Sequence, residues 1–281
     1  MTMNRMGKVA VIGSGSWATA LARLLLGNCE RIGWYFRRAD RIDEFIRYGH
    51  NSSYLSDVHF DVMRIDFSDD INKVCEDADT LVLVTPSPYL RETLDEITVD
   101  ISGKNIVSAV KGIVPESDMI VTDYMKMRFG CSTERLLVIG GPCHAEEVAL
   151  DRMSYLTIGC CDGERGADFA ALLAGKRMRT IVSRDVDGIE YAAVLKNVYA
   201  ITAGIIHGLK AGDNFLAMTV SNAIREMERF VDTVAPLAGR NIYQSAYLGD
   251  LLVTAYSKFS RNHNFGSMIG RGYSVKAAMM E

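Results

Sequence analysis

"VIGSGSWATAL" (11–21) places Gly13-x-Gly15-x-x-Ala18 directly behind the apolar run "KVAVI" (8–12) and at the head of a stretch with helical spacing. Glycines at such a junction permit a tight turn and let backbone N–H groups approach a pyrophosphate at the helix N-terminus. A Gly-x-Gly pair alone is common in turns, but the strand before it and the helix after it make this one specific. The turn predicts a dinucleotide site built from Gly13, Ser14, Gly15, Ser16 and Trp17.

Further along the chain, short β-rich runs alternate with helical patterns. Strands are predicted at "IGWYF" (32–36), "TLVLVT" (80–85), "NIVSAV" (105–110), "LLVIG" (136–140), "YLTIGCC" (155–161) and "MRTIVS" (178–183). Helices are predicted over Ser16–Leu26, Asp40–Tyr48 and Asp69–Ala78, after Pro88, near 117–128 and over 164–174. Near-continuous apolar strands separated by helices imply a parallel sheet covered on both faces. From Asp187 onward the pattern is helical only, first over Ile189–Ile206 and then over 218–235. The expected α/β architecture is an N-terminal Rossmann-type, doubly wound domain (1–186) followed by an all-helical substrate-binding domain (187–281). Their boundary lies near 184–188, at "SRDVDG".

The 281 residues are 48% apolar and 23% charged, an ordinary soluble composition. A formal net charge of −4 gives no electrostatic reason to expect a nucleic-acid partner. No run reaches the uninterrupted apolar length of about twenty residues that a membrane span needs, and the N-terminus has no signal-peptide core. Six cysteines and five histidines show no metal-ligand spacing. Reduced thiols in a cytoplasmic protein are the expectation, with no metal.

The second strand refines the nucleotide reading. An NAD site often ends this strand with an acid that binds the ribose hydroxyls. Here "WYFRRAD" (34–40) puts Arg37 and Arg38 at that place. Guanidinium forks suit a phosphate, so NADP is the preferred cofactor, while Asp40 leaves NAD use open.

A second signal is an isolated charge. "YAAVLKNVYAITAGII" (191–206) is sixteen residues carrying only Lys196, with no acid nearer than Glu190. A buried ammonium must find a partner, lose its proton or reach water. Lys196 is therefore either a stem snorkelling off a partly exposed helix or a functional group. Small residues around it (Ala192, Ala193, Ala200, Ala203 and Gly204) are expected to let the helix approach the dinucleotide domain closely.

Together with "VKGI" (110–113), "GGPCHAEEVA" (140–149) and "LGDLLVTAYSKFSRNHNFG" (248–266), the segment "LKNVYAITAGI" (195–205) resembles the bacterial NAD(P)-dependent glycerol-3-phosphate dehydrogenases. The resemblance runs in order over nearly the whole chain. It implies an oxidoreductase that interconverts sn-glycerol 3-phosphate and dihydroxyacetone phosphate for phospholipid synthesis. The implied location is the cytoplasm, and a homodimer is compatible with it. It implies Lys196 as the acid/base, with Asp250 beside it and Lys111 at both substrate and nicotinamide. It implies that Ser260, Arg261 and Asn262 hold the phosphate and glycerol end, with Arg261 also reaching the cofactor. Gly141 and Cys143 would contact substrate, and Ala145 cofactor. Cys143 stands where the family usually has Ser or Thr, replacing a hydroxyl by a weaker thiol donor. Members usually continue beyond "SVKAAMME", through a segment with a glutamate near the cofactor, so a C-terminally shortened helical domain is implied.

Lysine at its free pKa of about 10.4 is a poor base at neutral pH, and desolvation or a second cation makes the neutral amine more accessible. Two other readings compete. One is a related dehydrogenase acting on another hydroxy acid or sugar, and the other is a non-catalytic dinucleotide-binding or sensor protein.

Overall fold

The computed structural model describes residues 5–280. The chain forms two compact units. One comprises Met1–Ile139 with Cys143–Val186, and the other Gly140–Pro142 with Asp187–Glu281.

The first unit alternates strand and helix: β1 (Val9–Ile12), α1 (Ser16–Leu26), β2 (Ile32–Tyr35), α2 (Ala39–Tyr48), β3 (Ile65–Ser68), α3 (Ile71–Asp77), β4 (Thr80–Leu83) and α4 (Ser87–Asp95). Then come β5 (Asn105–Ser108), α5 (Val121–Phe129), β6 (Leu136–Gly140), α6 (Ala145–Ala149), β7 (Ser154–Cys160), α7 (Gly163–Leu173) and β8 (Met178–Ser183). The eight strands form one sheet in the order β3-β2-β1-β4-β5-β6-β7-β8. β1 runs parallel to β2 and β4, β2 to β3, β4 to β5, β5 to β6 and β7 to β8. The order reverses beside β1, the position at which open α/β sheets bind their ligands.

Side-chain alternation shows why these strands read as continuous apolar runs. Val9 and Val11 of β1, Val82 of β4 and Leu137 of β6 enter one core. Ala10 and Ile12, Leu81 and Leu83, and Leu136 enter the other. Each face is covered by helices, so the strands are largely apolar, and buried polar side chains such as Thr80 and Asn105 are hydrogen-bonded.

β3 was not among the predicted strands. It is an edge strand in which Ile65 is buried and Asp66 exposed. Half-burial gives a four-residue alternation too short to stand out from its polar surroundings. Its Phe67 joins an aromatic cluster centred on Trp34, whose ring lies 5.1 Å from Phe36, 5.3 Å from Phe45 and 6.0 Å from Phe67.

The second unit is helical: α8 (Val186–Gly208), α9 (Asp213–Val234), a π-helical turn Ser245–Gly249 leading into α10 (Asp250–Tyr256), α11 (Arg261–Gly270) and α12 (Val275–Met280). Among the described residues, α8 alone has the length and composition to cross a membrane, and half of that stretch is buried.

α8 and α11 approach at backbone distance through paired glycines. A Cβ on Gly204 or Gly208 would overlap the carbonyl oxygens of His263 or Ser267. One on Gly266 or Gly270 would overlap those of Ile201 or Ile205. The small residues of α8 were expected to serve contact with the dinucleotide domain. For Gly204 this is corrected: its missing side chain makes room for α11 within its own unit. Because the obstacle is backbone, Gly266→Ala is expected to destabilise the protein by about 1–3 kcal/mol. A chemical-denaturation midpoint unchanged from the parent would show that the helices can separate at little cost.

Candidate functional site

The glycine turn is held from three directions. Gly13 has φ +123°, and a Cβ there would sit 3.0 Å from the Val84 carbonyl carbon, so only glycine fits. The Trp34 indole donates to the Gly13 carbonyl at 2.7 Å, anchoring the turn to β2. Asn51 is buried, and its amide donates to the Ser14 carbonyl at 2.9 Å and to the Thr19 hydroxyl at 2.8 Å. Neither Trp34 nor Asn51 was predicted as a site residue. A strand tryptophan reads as core, and a lone asparagine beyond a helix end carries no periodic signal.

A dinucleotide fits this turn. A Cβ on Gly15 would meet nothing within 4 Å, so the approach to the backbone is open. Gly15 caps α1 without a side-chain hydrogen bond, and no acid lies in the first helical turn. The N–H groups there are available to an anion. The Trp17 indole nitrogen is buried without an acceptor among the described residues. Lys111, half-buried beyond β5, has its Nζ 5.7 Å from the centre of the Trp17 ring.

At the end of β2 a cavity of about 230 Å³ is lined by Ser14, Arg37, Arg38, Arg41, Ser52 and Tyr54, among others. The Arg37 guanidinium lies over the Tyr89 ring at 5.8 Å. Arg38 engages Asp40 with both arms of its fork, Nε donating at 2.9 Å. This pairing holds the Asp40 carboxyl below the usual carboxylate range. Arg41 donates to Glu44 at 2.8 Å and the Ser52 hydroxyl donates to the same oxygen at 2.6 Å. The Ser52 hydrogen bond, and then Arg41, lower the Glu44 carboxyl likewise. The predicted arginines are thus beside one cavity, and Arg41 and Ser52 join them, with Glu44 bonded to both.

In the helical unit, Lys196 is 4% exposed and Asp250 1%. Lys196 Nζ donates to Asp250 Oδ1 in a short ion pair. Burial rules out the snorkelling reading, and the partner comes from 54 residues away. Asp250 is delivered by the π-helical turn, whose extra residue per turn re-aims the chain just before α10. The Thr254 hydroxyl donates to the Asp250 carbonyl at 2.6 Å, tightening the start of α10.

Ser260 is the N-cap of α11, its hydroxyl accepting from the His263 N–H at 3.2 Å. Arg261 and Asn262 form the first turn, the arginine exposed and the asparagine half-buried, with no acid among them. A guanidinium, an amide and a helix N-terminus together suit an anion. Gly141, at φ +112°, lies in the segment 140–142 that belongs to the helical unit. Buried Cys143 and Ala145, the latter opening α6, belong to the first unit. The predicted residues therefore fall into two groups: Gly13–Trp17, Arg37, Arg38, Lys111, Cys143 and Ala145 in one, and Gly141, Lys196, Asp250 and Ser260–Asn262 in the other.

Residues 8–165 match the family of the NAD-dependent glycerol-3-phosphate dehydrogenase N-terminus, and residues 185–281 match that of its C-terminus. The chain belongs to the NAD-dependent glycerol-3-phosphate dehydrogenase family. It is 34% identical to the glycerol-3-phosphate dehydrogenase [NAD(P)+] of an Exiguobacterium species, covering 96% of this chain and 80% of the relative. The corresponding enzyme of Lysinibacillus sphaericus is 31% identical, with 98% and 81% covered. The crystal structure of glycerol-3-phosphate dehydrogenase from Coxiella burnetii superposes with a TM-score of 0.86 at 27% identity, covering 98% of this chain and 83% of that one. The family's two-part plan, a Rossmann-like domain and a helical one, is the architecture described above.

Proposed function

We infer that this chain interconverts sn-glycerol 3-phosphate and dihydroxyacetone phosphate with a nicotinamide dinucleotide, NADP preferred over NAD. The observation that carries this is the buried Lys196–Asp250 pair, set in the same unit as the Ser260–Arg261–Asn262 turn. In this reading residues 1–186 hold the dinucleotide and 187–281 the substrate. Bound dinucleotide supplies the redox chemistry, taking up or delivering a hydride at the substrate's central carbon.

The protein's own residues handle the proton and the geometry. For reduction, the Lys196 ammonium donates a proton to the carbonyl oxygen as the carbon gains the hydride; for oxidation, the neutral amine removes it from the hydroxyl. Asp250 accepts from Nζ and fixes its direction, so the buried charge is neither unpaired nor free to rotate. Ser260, Arg261 and Asn262 bind the phosphate, holding the carbonyl carbon at a set distance from the proton donor. Lys111 reaches substrate and nicotinamide, Gly141 and Cys143 contact substrate, and Ala145 contacts cofactor. The glycine turn takes the pyrophosphate, and Arg37 and Arg38 read the 2′-phosphate.

Such an enzyme would supply the glycerol phosphate backbone for phospholipids. A cytoplasmic location is part of the proposal, supported by the six cysteines forming no disulfide. A homodimer is part of it too, supported by large apolar side chains left exposed on α9, Phe215 and Met218 among them. The test is loss of reduced-nicotinamide absorbance on adding dihydroxyacetone phosphate, with NADPH and NADH compared. The expected result is turnover with both and a higher kcat/KM with NADPH. Cofactor binding without turnover on this or other phospho-ketones would favour a non-catalytic binding protein.

A further inference from the structure

We propose that Glu44 is a positioning residue that sets the balance between NADP and NAD, by holding Arg41 and Ser52 away from the 2′-phosphate. The inference rests on the dinucleotide reading of the glycine turn and adds to it which groups weaken phosphate selectivity.

Three guanidiniums line the cavity at the end of β2, a strongly phosphate-seeking set if nothing opposed them. Two carboxylates on the first turns of α2 do oppose them. Asp40 takes both arms of Arg38, its near neighbour in sequence. Glu44 does more, because it ties together two elements. It accepts from Arg41 on its own helix and from Ser52 in the turn that follows α2. Arg41 also donates to Ser52 at 3.4 Å, closing a three-membered network of which Arg41 and Ser52 line the cavity. The same turn contains Asn51, which grips the glycine loop. The network is therefore continuous with the backbone that takes the pyrophosphate.

A nucleotide without a 2′-phosphate leaves these hydrogen bonds as they are. One with it must draw Arg41 and Ser52 off Glu44, and then sits close to a carboxylate that has lost two donors. Both effects fall on the phosphorylated nucleotide alone. Glu44 thus subtracts from NADP affinity and leaves NAD affinity alone, narrowing the difference between them. The pair is partly exposed, with side-chain accessibilities of 37% for Arg41 and 40% for Glu44. Its influence should accordingly be moderate and weaken with salt.

The experiment is calorimetric titration of the whole protein with NADPH, NADH, 2′,5′-ADP and 5′-AMP, none of which requires turnover. With Glu44→Gln, the dissociation constants of NADPH and 2′,5′-ADP should fall by about threefold to fivefold, the upper part of the range of one exposed ion pair. Those of NADH and 5′-AMP should stay within about twofold, and added salt should shrink the difference. Glu44→Ala, which cannot keep the hydrogen bonds through an amide oxygen, should shift the ratio in the same direction. Asp43→Asn removes the same charge from an exposed neighbour on α2 and should leave the ratio unchanged.

An unchanged ratio in both Glu44 variants overturns the inference, as does an equal shift in Asp43→Asn. Weaker NADPH binding in the Glu44 variants would also overturn it, because Glu44 would then be preparing Arg41 and Ser52 for phosphate. Failure of all four nucleotides to bind the parent would overturn the dinucleotide reading itself, and this inference with it.

Discussion

Lys196→Ala is expected to lower turnover by about a hundredfold or more while leaving NADPH binding close to that of the parent, the signature of a lost general acid/base. The expectation comes from position and partner together. A lysine at 4% exposure on an apolar helix would be a liability without Asp250, and Asp250 at 1% would be one without Lys196. Removing either leaves the other charge buried without this partner, which costs about 3–5 kcal/mol of stability. Loss of activity in the single variant could therefore be loss of fold. The double variant Lys196→Ala, Asp250→Asn separates the two effects, because it buries no net charge. Its melting temperature should recover toward that of the parent, and its turnover should not. Steady-state kinetics beside thermal melts of the three proteins make the comparison. Turnover within about threefold of the parent in a folded variant would mean that Lys196 is a structural charge, since a general acid/base contributes far more.

The readability of this chain followed burial. Strands covered on both faces, such as β1, β4 and β6, announced themselves as unbroken apolar runs, and so gave the parallel sheet and its helical layers. β3 did not, because an edge strand with Asp66 in water and Ile65 inside shares its pattern with many loops. Lys196 stood out for the opposite reason, as polarity inside an apolar helix. Its partner could be named only through the family resemblance, since 54 residues and a π-helical turn separate them. The cavity at β2 shows the remaining limit. Arg37 and Arg38 were readable because they directly follow β2, the strand beside the glycine turn. Arg41, Glu44 and Ser52 were not, because charged residues on an exposed helix face carry no mark of what they meet in space. Gly204 of α8 was visible as a small residue, but the His263 carbonyl oxygen that requires it belongs to α11.

Arg261→Lys is expected to lower kcat/KM for dihydroxyacetone phosphate by about tenfold to a hundredfold, the value of a lost charge-assisted hydrogen bond to phosphate. The charge is retained, so a purely electrostatic account would predict little change. What lysine lacks is the planar fork that meets two phosphate oxygens at once. Position adds to this. Arg261 is the first residue of α11, whose N-terminal field favours the same anion, and the Ser260 hydroxyl accepts from the His263 N–H while keeping its own proton to donate. The Ser260 hydroxyl and the Asn262 amide are not planar two-point forks, so neither replaces the second arm of the guanidinium. Most of the loss should appear in KM, with some in kcat, because a phosphate gripped at one end positions the carbonyl carbon at the other. Unphosphorylated dihydroxyacetone is the control, since it never engages the arginine and its slow rate should be nearly unchanged. A variant losing the same factor on both substrates would place Arg261 in support of the fold or the cofactor, and the phosphate would have to be bound by other groups.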